Sequence, residues 1–161
     1  MDILSVYVDV LHDSLSRKVD IVKEILALTK EQSEILSDEE MDSDRFDKII
    51  DEKGVRIDEI LEIDNGFNTM FERVRDVLQT DKEKYRSQII EMQNYIRVIT
   101  DMNVELESLE QSNKNKFDEF LHNKRSEIKN FNKSNSTAAS YYRNMSNQHQ
   151  SWQTYFLDKK K

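Results

Sequence analysis

The chain is 161 residues long, sets 32 acidic against 24 basic side chains for a net charge of −8, and contains no proline, no cysteine and two glycines, Gly54 and Gly66. Without cysteine there is no disulfide framework and no thiolate metal site, and two isolated glycines cannot build a glycine-rich phosphate loop. The scarcity of helix breakers permits long helices and withholds the turn residues that sheet folds need. The expected fold class is therefore all-α: an elongated antiparallel up-and-down bundle of three long helices plus a C-terminal tail or short helix.

Hydrophobic residues make up 37% of the chain and charged residues 35%, which suits helices sharing a narrow seam. Residues 1–110 hold 14 basic and 28 acidic side chains, a net of −14, whereas residues 111–161 hold 10 basic and 4 acidic, a net of +6. The acidic majority argues against nucleic acid as a partner. Met1-Asp2-Ile3-Leu4 lacks the basic region and apolar run of a signal peptide, and no stretch approaches eighteen apolar residues. No membrane insertion and a cytoplasmic location are the expectations.

The first helix, expected over 3–36, carries Leu4, Val8, Leu11, Leu15, Lys18, Val22, Ile25, Thr29, Gln32 and Leu36 in alternating steps of four and three. That spacing keeps them on one face, and Ile21, Leu26 and Leu28 widen the face enough for two neighbours. The acidic run from Asp38 to Asp42 breaks the periodicity, with Ser43 or Asp44 as the cap of a second helix over 44–79. So short a turn sets the second helix antiparallel to the first. Its stripe reads Phe46, Ile50, Lys53, Ile57, Ile60, Asp64, Phe67, Phe71, Val74 and Leu78, and it keeps phase across Asn65-Gly66, a weak point or kink rather than a boundary.

Thr80-Asp81-Lys82-Glu83 has the form of a capping box and predicts a third helix over 82–131. Its stripe is Tyr85, Gln88, Met92, Tyr95, Ile99, Met102, Leu106 and Leu109. Beyond Leu109 the apolar residues shift phase, with an eleven-residue step from Leu106 to Phe117 that reads as a stutter. Residues 1–133 are then the bundle domain. Residues 134–161 form a linker and aromatic tail, the polar run from Asn130 to Thr137 leading into them.

The third helix outlasts the first two, so Phe117, Phe120, Leu121, Ile128 and Phe131 form an apolar face with no expected cover. The tail adds Tyr141, Tyr142, Met145, Trp152, Tyr155 and Phe156, more aromatics than an idle segment carries. Together these are the candidate partner-binding residues, a fixed face and a mobile clamp. The nearest approach to chemistry is Glu119-Phe120-Leu121-His122, the Glu-x-x-His unit of di-iron bundles. Such sites need two such units and two further glutamates, and neither His12 nor His149 follows a Glu by three. No catalytic residue, cofactor or metal is expected, and the chain reads as a non-enzyme.

Several segments carry a resemblance. Phe46-Asp47-Lys48-Ile49-Ile50-Asp51-Glu52-Lys53 followed by Ile57-Asp58-Glu59-Ile60-Leu61 resembles the "EK…L" signature of the FlgN-type flagellar type III export chaperones. Ile63-Asp64-Asn65-Gly66-Phe67 with Phe71-Glu72-Arg73-Val74 is similar to the version in Gram-positive members. So are Ile99 to Leu106, Leu109 to Asn113, the asparagines Asn113 and Asn115, and the ending Tyr155-Phe156-Leu157-Asp158-Lys159-Lys160.

The resemblance implies a chaperone that binds the helical C-terminal ends of the hook-associated junction proteins, FlgK and FlgL, in the cytoplasm. It would prevent their premature association and deliver them to the flagellar export apparatus without hydrolysing ATP itself. The alternative is a self-assembling coiled-coil structural or adaptor protein, in which the surplus stripe is a homo-oligomer interface. A weak homodimer is compatible with either.

Overall fold

In a computed structural model, described over residues 2–123, the chain forms three helices: α1 (Ile3–Ser37), α2 (Ser43–Thr80) and α3 (Arg86–Asn123). No strand occurs among the described residues. The Asp2 carboxylate caps α1 by accepting the Leu4 amide at 3.1 Å. Asp42 caps α2 through the Arg45 amide at 3.2 Å, one residue before the expected Ser43 and two before Asp44. In both cases a carboxylate meets the partial positive charge of a helix N-terminus.

The start of α3 corrects the capping-box expectation. The Thr80 hydroxyl donates back to the Asp76 carbonyl at 3.0 Å, and the Asp81 amide donates to Val77 at 2.8 Å. Thr80 therefore finishes α2, residues 81–85 make the turn, and α3 begins at Arg86 rather than 82. Residues 124–131 of the expected third helix, the linker and the tail lie outside the described residues. α2 passes through Gly54 and Gly66 without interruption, and a side chain at either position would meet nothing within 4 Å.

Paired side chains fix the helix directions. Lys18 meets Asp64 and Gln32 meets Lys53, so α1 and α2 are antiparallel; Ser5 meets Tyr85 and Ser33 meets Asn113, so α1 and α3 are parallel. This is the up-down-up bundle. α1 packs along both other helices, while the backbones of α2 and α3 keep apart and meet through side chains. The widened face of α1 follows from this shared position: Ile21 is buried, and Leu26 and Leu28 pack against separate apolar clusters.

Those clusters are divided by a polar layer. One contains Val8, Leu11, Ile25, Ile60, Ile99 and Leu106, among others; the second contains Ile35, Phe46, Ile49, Ile50 and Phe117. Each well-buried aliphatic side chain contributes about 1.5–3 kcal/mol. Between the clusters along the chain stand Thr29 and Gln32 of α1, Lys53 of α2, and Glu110 and Asn113 of α3, all buried.

The same residues remove the expected stutter. The buried positions of α3 are Met92, Ile96, Ile99, Asn103, Leu106, Glu110, Asn113 and Phe117, an unbroken alternation of four and three. The step from Leu106 to Phe117 is filled by two polar residues that an apolar template passes over. For the same reason Tyr95, Met102 and Leu109 stand only half-buried, beside the seam positions held by Ile96, Asn103 and Glu110.

Candidate functional site

Of the predicted partner-binding residues, Phe117, Phe120 and Leu121 fall within the described chain. Ile128, Phe131, Tyr141, Tyr142, Met145, Trp152, Tyr155 and Phe156 lie outside it. Phe117 is 3% exposed and stacks on Phe46 of α2, so the expectation of an uncovered face does not hold there. Phe120 and Leu121 are half-buried against the same cluster. Helix three does not outrun its partners at Phe117, because the start of α2 lies level with it.

An open apolar surface occurs at the other end of the bundle. Near the 81–85 turn α2 and α3 border a groove of about 740 Å³. Phe71 and Leu78 line it from α2, and Ile89 and Ile90 from α3. Phe71 is held by a near-parallel stack on buried Phe67, with ring centroids 6.2 Å apart. Ile90 is 46% exposed, an apolar side chain turned toward solvent. The charged lining consists of Arg75, Lys82, Arg86 and Glu83. Sequence reasoning assigned Phe71 and Leu78 to the core and passed over Ile89-Ile90; two adjacent isoleucines beside the stripe position Gln88 were the available signal.

The buried polar layer is a connected set of hydrogen bonds and one ion pair. The Lys53 ammonium donates to Gln32 Oε1 at 2.7 Å and is ion-paired with Glu110. The Thr29 hydroxyl lies 2.7 Å from the Ile25 carbonyl and 3.1 Å from Glu110 Oε1, its single proton shared between them. The Asn113 amide donates to the Thr29 carbonyl at 3.2 Å and accepts from the Ser33 hydroxyl at 2.6 Å.

Burial pushes Lys53 down to about 8, partly opposed by the Glu110 charge. A second pair, Lys18 and Asp64 at 2.9 Å, behaves alike, with Lys18 lowered by burial to about 8. Asn103 is 6% exposed, and neither polar atom of its side chain finds a partner.

These groups are buried at seam positions, where they join the helices to one another. Glu119 and His122 are exposed, and the described residues contain no group of three or more His, Asp or Glu placed to hold a metal ion. His12 instead bridges α1 to Glu91 of α3 and to Asp13. Burial would lower its pKa, but the hydrogen bonds and charges of those carboxylates outweigh it and raise the value above 6.5. No helix among the described residues is long and apolar enough to cross a membrane. Comparison with family models, with curated proteins and with solved structures found no match.

Proposed function

We propose that this chain is a non-enzymatic cytoplasmic export chaperone. In this reading it binds the helical C-terminal segments of hook-associated junction proteins of the FlgK and FlgL type, keeps them from associating early, and hands them to the flagellar export apparatus. The observation that carries the reading is the central position of α1. One helix holds both neighbours, so α2 and α3 need not close on each other and an apolar groove stays open between them. An open groove between parallel-sided helices is a natural receptor for an amphipathic helix. The Glu52-Lys53 segment and its companions lend the flagellar resemblance, and Lys53 and Asn113 from those segments belong to the buried layer that fixes the bundle.

Titration calorimetry of the full chain against a C-terminal helical fragment of a junction protein tests the proposal. A saturable complex with one fragment per chain is expected; the absence of heat and of co-elution would rule it out. The self-assembly reading draws on Ile3, Val6 and Val10, exposed apolar side chains at helical spacing on α1. It requires a concentration-dependent dimer without any fragment, measured by light scattering.

A further inference from the structure

We propose that the groove between α2 and α3 docks an amphipathic helix of another protein whose apolar stripe is flanked by acidic side chains. The inference deepens the helix-binding reading and rests on it. Its starting point is a local reversal of charge. Arg75, Lys82 and Arg86 against Glu83 give the groove's lining a charge of +2, within a stretch, residues 1–110, whose net is −14. Arg75 also meets Glu72 at 3.5 Å and Arg86 meets Glu83 at 3.8 Å, both in exposed ion pairs. Basic groups are thus gathered around Phe71, Ile89 and Ile90 in a stretch that is acidic on balance. Charge complementarity of this kind steers encounter and rejects wrong partners more than it adds affinity.

The groove's dimensions fit a helix. Its walls run from Phe71 to Gln79 on α2 and from Arg86 to Ile96 on α3. At about 1.5 Å per residue each wall is roughly 12–15 Å long, room for two to three turns. Over that length an amphipathic helix presents apolar side chains at i, i+3 or i+4, and i+7, and acidic neighbours on its flanks meet the basic rim. The chain's own C-terminal portion is the wrong occupant by charge. Residues 111–161 carry a net of +6 and end in Lys159-Lys160-Lys161, so they would bring cations to cations.

The test uses the full chain and two designed helical peptides of about 14 residues with one leucine stripe, flanked by glutamates in one and by lysines in the other. The glutamate peptide is expected to bind about tenfold more tightly at low salt, with the gap closing as salt rises. The exposed double substitution Lys82→Glu/Arg86→Glu should reverse the preference. Ile90→Ser should weaken both peptides, and circular dichroism melts should show both variants folded as the parent. Equal binding of the two peptides, or a preference unchanged in Lys82→Glu/Arg86→Glu, overturns the proposal. So does a chain that is already dimeric by light scattering and releases no protomer when peptide is added, because a second copy then fills the groove. A junction-protein fragment that binds the parent and both variants alike overturns the groove and leaves the chaperone reading. Peptide binding that obeys the charge rule without any fragment binding overturns the chaperone reading and leaves the groove.

Discussion

Phe46 of α2 and Phe117 of α3 stack with ring centroids 5.3 Å apart and planes 2° from parallel, both rings withdrawn from solvent. They join the two helices directly at the end of the bundle away from the groove, in a cluster that Ile35 of α1 shares. Phe117→Ala removes the ring from a site with little means of collapse and should lower stability by about 3–5 kcal/mol. Urea denaturation measures it. A shift below about 1 kcal/mol, the scale of surface substitutions, would return Phe117 to the role of a free binding residue.

Lys53 and Glu110 should behave as a unit. Lys53→Met strands a carboxylate in the core and is expected to cost about 3–5 kcal/mol, whereas Lys53→Met/Glu110→Met should recover most of that loss. The comparison is a double-mutant cycle in urea. Additive losses would mean that the two groups act separately.

The same pair gives a pH dependence of defined sign. Burial lowers Lys53 from 10.5 to about 8 in the folded chain, so between those values the unfolded chain holds more protons. The Lys53 contribution to stability therefore rises as pH climbs through that window, and below it the cost of burying the ammonium is met in full. The urea midpoint of the parent should gain on that of Lys53→Met/Glu110→Met between about pH 8 and pH 9.5. Parallel curves would contradict the assignment.

His12 works in the opposite sense. Its folded pKa is raised, so its contribution is fully present below the unfolded value of 6.5 and is lost as pH rises through the folded one. Nuclear magnetic resonance titration of the ring should give a midpoint above 6.5 that falls in Glu91→Gln. An unchanged midpoint in that variant would remove Glu91 as the cause.

Gly54 and Gly66 are helical, and neither faces a neighbour that a methyl group would strike. Gly54→Ala and Gly66→Ala should each stabilise α2 by about 0.5–1 kcal/mol, seen as a higher melting temperature with peptide binding unchanged. Destabilisation at Gly66 would point to a bend that α2 needs there.

Much of the seam was legible in the sequence because its period is strict. Lys18, Thr29 and Gln32 took their places on α1, and Lys53 and Asp64 on α2, from phase alone, although none is apolar. α3 was harder to read. Asn103 and Glu110 compete with neighbours that look more like core, Met102 and Leu109, and only the partners of Glu110 and Asn113 on α1 and α2 mark those two positions as buried. Spacing cannot reveal that a carboxylate has an ammonium waiting across the seam. Phe117 was misjudged for a related reason, since its cover comes from Phe46, a residue 71 positions earlier in the chain. The groove escaped notice because it arises from the distance between two helices, which no single helix encodes.

The orphaned amide of Asn103 stands one heptad before Glu110, and that spacing bears on slippage. Were α3 to slide seven residues along α1, about 10 Å, Asn103 would arrive where Glu110 now receives Lys53. The amide could accept one hydrogen bond from the ammonium but could not neutralise it, and Glu110 would be carried away from its counter-charge. A bundle of uniform apolar seams has several such sliding positions close in energy. Here the buried ions make them unequal and favour the alignment that brings Glu110 to Lys53.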